Sequence, residues 1–231
     1  MARQPFHPQY ADSSTQMASS LIEKMPKLAD LVGRITINWS GVDLQLSLLL
    51  GSLLGINSFG AVAVFLSLRN HRSQRDALEA AANKCLSSEL LDGFNTILKS
   101  HKELDKQRND VVHGVWGIAP KTPDGIIWSS LQDHANMLIN DYHLMSTGKV
   151  SSIDRTYNIS RDYFVYRYSD LEKLNFSIML LGEAIQNFHV FLRYRDQPAG
   201  KNAWKNFCSN SLISKKMENL HCNAEKPPLS N

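Results

Sequence analysis

LQLSLLLGSLLGINSFGAVAVFLSL, residues 44–68, contains no charged residue, and its length alone would span a bilayer. Gly55-Ile56-Asn57-Ser58 interrupts the run at its middle with turn and N-cap chemistry. Two buried helix halves meeting at a turn explain this pattern better than one continuous span does. The chain therefore reads as soluble, with no membrane partner.

Working outward, the same logic places long helices on either side. Pro26 suits a first helical turn. After it Leu28, Leu31, Val32, Ile35, Trp39, Val42, Leu46 and Leu49 recur at three-and-four spacing, which predicts one long amphipathic helix. A second helix is expected from Asn57 or Ser58 through AVAVFLSL, turning polar at RNHRSQRDALEAAANK. A third covers Ser88 to about His113, with Leu91, Phe94, Leu98, Leu104, Val111 and Val112 as its apolar stripe, and Gly114 stops it. VWGIAPKTPDGIIWSSL then reads as two short strands around Pro123-Asp124-Gly125. Residues 132–158 are irregular by pattern, and RDYFVYRYS, residues 161–169, is strand-like. Ser169 and Glu172 have capping-box spacing and open a fourth helix carrying Leu171, Leu174, Ile178, Leu181, Ile185, Phe188 and Leu192. The expected fold is mainly α: an antiparallel bundle of about four long helices. A small antiparallel β insertion at about 114–168 separates the third helix from the fourth. Residues 1–19 read as a flexible N-terminal arm, 20–197 as the helical domain, and 198–231 as a mostly disordered tail.

Bulk composition sets weaker limits. The 231 residues are 43% hydrophobic and 20% charged, enough for a sizeable core. A formal charge of +3 neither demands nor excludes a nucleic-acid partner, so any such binding must come from local basic stripes. Three cysteines without CxxC spacing argue against a disulfide framework or a zinc site and fit a reducing cytoplasm. The first sixteen residues lack the apolar core of a secretory signal.

RNDVVHG, residues 108–114, is the stretch with chemistry in it. Asn109 and His113 are four apart and share a helix face. Arg108 and His113 are five apart, about 140° around an ideal helix. They converge only if the helix loosens toward Gly114, if the arginine bends round, or if two chains share a site and each supplies one Arg and one His. A neutral imidazole can take the proton of an RNA 2′-hydroxyl. A guanidinium can hold the phosphate and offset charge in the transition state. Asn109 would position either group. This chemistry calls for no cofactor and no metal, and it yields a 2′,3′-cyclic phosphate and a 5′-hydroxyl. The competing reading is that Arg108 and His113 are cations opposing the dipole of a helix's last turn.

Arg108-Asn109-x-x-x-His113 at the end of a helix in an all-α chain resembles the HEPN superfamily. The context resembles one bacterial branch of it: Trp39-Ser-Gly-Val-Asp43-Leu44 on an early helix, then RNxxxHGxW ending at Trp116, then a strand pair before the last helix. The likeness covers roughly residues 25–195. It implies a homodimeric, metal-independent endoribonuclease, with Arg108, Asn109 and His113 catalytic and RNA the substrate. It also implies a toxin or anti-phage setting, with an antitoxin or defence-system protein as partner. One feature departs from the pattern. Toxins of this family paired with nucleotidyltransferase antitoxins often carry a tyrosine two residues after the histidine, where this chain has Val115, so control by modification there does not carry over. The alternative function is a non-catalytic dimerisation or adaptor module that holds a partner protein or nucleotide. An Arg/His cleft open to solvent favours the enzyme; His113 buried against Trp116 favours the module.

Lys99, Lys102 and Lys106 fall along one side of the third helix and are candidates to lead RNA toward the site, as are Arg69 and Arg72 within the cluster Arg69, His71, Arg72, Arg75. The plainer account pairs the lysines with Glu103 and Asp105 on a solvated face and leaves the arginines as surface charge. Trp39 reads as core or dimer seam. Trp116 and Trp128 read as strand aromatics covering the helices, with base stacking the alternative. His134, His143, His189 and His221 have no evident partners in the sequence.

Overall fold

The computed structural model describes residues 4–7, 15–56, 58–122, 125–147 and 163–216. Among the described residues the chain is mainly helical, with a small antiparallel sheet. The helices are α1 (Pro26–Leu53), α2 (Ser58–Ser67), α3 (His71–Cys85), α4 (Ser88–His113), α5 (Leu131–Thr147), α6 (Tyr168–Arg193), α7 (Pro198–Ser209) and α8 (Ser211–Ser214). The strands are β1 (Gln4–Pro5), β2 (Gln16–Met17), β3 (Val115–Ile118), β4 (Gly125–Ser129) and β5 (Phe164–Arg167).

Pro26 opens α1, where its missing N–H costs no hydrogen bond. Leu28, Leu31, Ile35, Trp39, Val42, Leu46 and Leu49 are buried, as their spacing predicts, and Leu53 is buried with them; Val32, counted in the same stripe, is only half-buried. The uncharged run divides where turn chemistry interrupts it. α1 stops at Leu53, Gly55 adopts φ 62°, and α2 starts at Ser58; Asn57 itself lies outside the described residues. Ala61 and Phe65 of α2 are buried while Phe59, Val64 and Leu66 are exposed, so this segment is one-sided. Among the described residues no helix is long and apolar enough to cross a membrane.

The expected second helix is two helices. The Asn70 side chain accepts the Ser73 N–H at 2.8 Å and so caps a new start at His71. Gln74 Nε2 reaches back to the carbonyls of Phe65 and Leu68 at the end of α2. A side chain that competes for backbone donors breaks a pattern that periodicity alone would continue.

The chain divides into two compact units, one formed by Met1–Thr36 with Lys106–Asn175, the other by Ile37–Asp105 with Phe176–Asn231. The first holds the sheet, in the order β1-β5-β4-β3-β2, every pair antiparallel. The N-terminal segment expected to be a loose arm supplies both edges: Gln4 pairs with Val165 and Gln16 with Ile118. Phe6 is buried with Ala119, Ile127 and Tyr163. Strands of two residues are too short to show alternation, which hid them in the sequence. Of the turn expected at Pro123-Asp124-Gly125, the first two residues lie outside the described residues.

α5 replaces the first part of the segment read as irregular; residues 148–158 of it lie outside the described residues. Ser130 starts this helix, its Oγ accepting the Asp133 N–H at 3.0 Å and donating to the Asp133 carboxylate at 2.6 Å. α6 begins at Tyr168, two residues earlier than a Ser169 cap predicts, because the Asp170 carboxylate reaches back to the Arg167 N–H at 3.0 Å.

In the second unit, the start of the presumed tail is ordered. Pro198 opens α7, and Trp204 and Phe207 pack on Phe191 and Phe188 with ring centroids 4.6 and 5.2 Å apart. Asn210 caps α8 through Leu212 N–H and donates to the Leu180 carbonyl. Residues 217–231 of that tail lie outside the described residues. Cys208 is disulfide-bonded, although the cysteine number and spacing argued against a disulfide framework, and Cys85 is a free, exposed thiol.

Candidate functional site

The last four carbonyls of any helix lack intrahelical partners. At the end of α4, two of them are taken by tryptophan indoles. Trp128 Nε1 donates to the Asp110 carbonyl at 2.8 Å and Trp116 Nε1 to the Val111 carbonyl at 3.1 Å. The two tryptophans are directly opposed on β3 and β4, so they share a sheet face and act together. Both are buried, with Tyr166 edge-on to each at 5.5 and 5.9 Å. Gly114 makes the approach feasible: a Cβ there would fall 1.6 Å from Trp128 Nε1. Neither strand cover alone nor base stacking describes these residues; they cap the helix that carries RNDVVHG. The pattern H-G-x-W followed by a second strand tryptophan was the available signal, but it points to a cap only once the strands are paired.

The capped helix is regular through His113. It does not loosen toward Gly114, and Arg108 and His113 therefore stay about 140° apart around its axis. The Arg108 guanidinium turns to its neighbour and donates to Asn109 Oδ1 at 2.8 Å. Arg108 and Asn109 are half-buried, and His113 is exposed. Within one chain, then, the arginine and asparagine meet and the histidine does not join them. Trp116 is buried, with its indole N–H turned to the backbone of Val111.

Lys99, Lys102 and Lys106 are exposed along α4. Glu103 pairs with Lys216, and Asp105 turns inward to His71 at 2.8 Å and Arg75 at 3.3 Å. Arg69 and Arg72 are exposed at the start of α3. His71 and Arg75, grouped with them in the sequence, belong instead to a half-buried ion-pair cluster. Among the described residues no group of three or more His, Cys, Asp or Glu side chains is placed to hold a metal ion.

The ion-pair cluster extends to His101, one turn before Asp105 on α4. His101 is 1% exposed, neither ring nitrogen has a hydrogen-bond partner, and its ring packs 5.0 Å from Trp39 and 6.0 Å from His71. Burial pushes the imidazole down from 6.5 to about 4; Asp105 pulls it up, while Arg75 and His71 push it further down. Burial would raise the Asp105 carboxyl, but hydrogen bonding and charge from His71, with help from His101 and Arg75, hold it below its ordinary value.

Acid should therefore destabilise this protein earlier than carboxylate titration predicts. Between pH 6.5 and about 4 the unfolded chain binds a proton at His101 that the folded chain refuses. The stability is complete above that window and falls on the order of 3 kcal/mol across it. Asp105 adds a loss in the same direction at still lower pH, because its depressed carboxyl must be protonated. Urea unfolding from pH 7.5 to 4.5 checks this: His101→Phe, which keeps a ring against Trp39, should flatten the slope. An unchanged slope would assign the acid sensitivity elsewhere. His189 is a satisfied core histidine, bonded through Nδ1 to Ser52 Oγ at 2.7 Å. His221 lies outside the described residues.

Compared with known proteins, the chain stands apart: no family model matches it, and neither do the curated proteins or the solved structures.

Proposed function

We propose that this chain is a metal-independent endoribonuclease of HEPN type that works as a homodimer in the cytoplasm. The four-helix antiparallel bundle with its β insertion, expected from the sequence, goes with this reading. The observation that carries it is the exposed His113 on the last turn of a helix clamped by two tryptophans, one turn beyond the Arg108–Asn109 pair. A cation that merely offsets the helix dipole needs no such clamp, because a fraying last turn would satisfy it equally.

In this mechanism His113 takes the proton from the 2′-hydroxyl as that oxygen attacks phosphorus. The bond from phosphorus to the 5′-oxygen breaks, and the leaving oxygen takes a proton from His113 of the second chain. Arg108, held by Asn109, carries the phosphate and its growing charge. The 140° separation along the regular helix is the ground for a site shared by two chains, in which Arg108, bonded to Asn109, meets His113 of the second chain. Lys99, Lys102 and Lys106, with Arg69 and Arg72, supply positive charge for an RNA backbone. An antitoxin or defence-system partner and a toxin or anti-phage role accompany the reading, resting on the family resemblance alone.

The test is cleavage of several RNAs in EDTA by wild type and by His113→Ala, with end-group analysis. Cyclic-phosphate ends from the wild type, lost in the variant, are expected. Silence from a folded wild type on every RNA would transfer the proposal to the non-catalytic adaptor. Equal cleavage by both would remove His113 from the mechanism.

A further inference from the structure

A cleft of about 480 Å³ opens between α6 and the α7–α8 turn, within the range of roughly 300–1,000 Å³ usual for small-molecule sites. Its walls are fixed in the free chain. Asn210, a buried lining residue, donates to the Leu180 carbonyl of α6 and accepts the Leu212 N–H of α8. Phe188 on Phe207 and Phe191 on Trp204 lock α6 to α7. Glu183, Gln186 and Asn187 line the cleft from α6, and Asn206 lines it from α7. Among the described residues none of these four side chains has a hydrogen bond or ion pair with the rest of the chain. Asn187 is half-buried in the middle of α6, and Asn206 lies within α7. Asparagine is a poor helix former at both places, and neither side chain offsets that cost with a bond of its own. Departures from local preference without a structural return are expected where a ligand supplies the return.

The lining chemistry narrows the ligand. No cation lines the cleft, although Lys201 and Lys205 are exposed on the same α7, so a phosphate or carboxylate group meets no counter-charge there. One carboxylate, Glu183, is too few ligands for a metal ion. Leu180 is the only apolar lining side chain, too little for a hydrophobic ligand or for the side-chain anchors of a peptide. A neutral ligand whose adjacent groups both donate and accept is what remains. Carboxamides offer a donor and an acceptor side by side, and a carboxylate accepts from hydroxyls; neighbouring hydroxyls on a sugar ring match both. Phe176, 58% exposed, lies one turn before Leu180 on the same face of α6, an apolar strip for the C–H face of such a ring. We propose that the cleft lined by Glu183, Gln186, Asn187 and Asn206 binds a neutral saccharide. Glu183 and Asn187, one turn apart on α6, take a pair of vicinal hydroxyls, and Asn206 binds from the α7 wall. The site lies wholly in the second unit, whereas Arg108, Asn109 and His113 belong to the first. It stands independently of the ribonuclease reading and of the number of chains in the assembly.

The experiment uses the full chain, isotope-labelled for nuclear magnetic resonance. Neutral oligosaccharides of glucose, galactose, mannose and N-acetylglucosamine are titrated to millimolar concentration while the side-chain amide signals of Gln186, Asn187 and Asn206 are followed. At least one series should move those signals saturably and leave that of the exposed Asn136 on α5 in place. Asn187→Ala should weaken the binding by about 3- to 10-fold, and Glu183→Gln, which removes a charged acceptor, by about tenfold or more. The circular dichroism spectrum should be unchanged in both, because neither side chain bonds to the rest of the fold. Lys201→Ala, off the cleft, should bind as the wild type does. Signals that no saccharide in the panel moves overturn the proposal. So does binding that both variants keep at full strength, or a response to adenosine or inorganic phosphate in place of the saccharides. RNA cleavage and oligomeric state enter none of these readouts, so failure here and failure of the ribonuclease reading are separable.

Discussion

Gly114→Ala should lower the free energy of unfolding by about 3 kcal/mol or more, a large fraction of what holds a domain of this kind together. An alanine methyl at this position would sit 1.6 Å from Trp128 Nε1 and 2.4 Å from Cε2, inside the ring rather than against it. The indole must leave or the helix end must shift. Either response breaks the bond to the Asp110 carbonyl and strands that acceptor. Chemical denaturation measures the loss, and a double-mutant cycle assigns it. In a Trp128→Ala background the same glycine substitution should cost under about 1 kcal/mol, because its obstacle is gone. An equal cost in both backgrounds would place the penalty in the backbone of Gly114 rather than in the clamp.

Mixing two inactive variants should restore activity. Arg108→Ala and His113→Ala should each lie about 10²- to 10⁴-fold below the wild type in cleavage rate. After the two are unfolded and refolded together, heterodimers form that keep one Arg108 and one His113 on opposite chains. Under the two-chain reading that cross-chain pairing restores one base and one clamp, with water replacing the missing second His113 as acid, so a fraction of the wild-type rate, above that of either variant alone, should return in the mixture. If each chain holds a self-sufficient site, every site in the mixture lacks one group and nothing returns. Recovery is thus a measurement of the 140° argument itself, independent of which RNA is cut.

The helices that frame the molecule were legible because the information for them is local. Pro26, the α1 stripe, Gly55 and the RNDVVHG terminus each act within one or two turns, and their spacing alone predicts α1 and the extent of α4. The missed starts were local as well, at Asn70 and Ser130, where a short polar side chain outweighs a pattern that looks continuous or blank. The residue types of the candidate site were likewise readable, and so was the angle between Arg108 and His113.

What the sequence by itself determined is therefore the helical character of the chain, the turn that divides its uncharged run, and the residue types of the candidate site on the end of α4. The tertiary structure decided the rest. It assigned Asp105 to His71 and Arg75 on another helix rather than to the lysines beside it. It made strands of residues 4–5 and 16–17, which have no pattern of their own. It also turned Trp116 and Trp128 from sheet cover into the cap that keeps α4 regular to His113. The physical reason is common to all three. A side chain's best partner is the nearest unsatisfied donor, acceptor or charge in space. Periodicity reports only neighbours three and four residues away, whereas Asp105 and Trp128 find partners up to 34 residues distant.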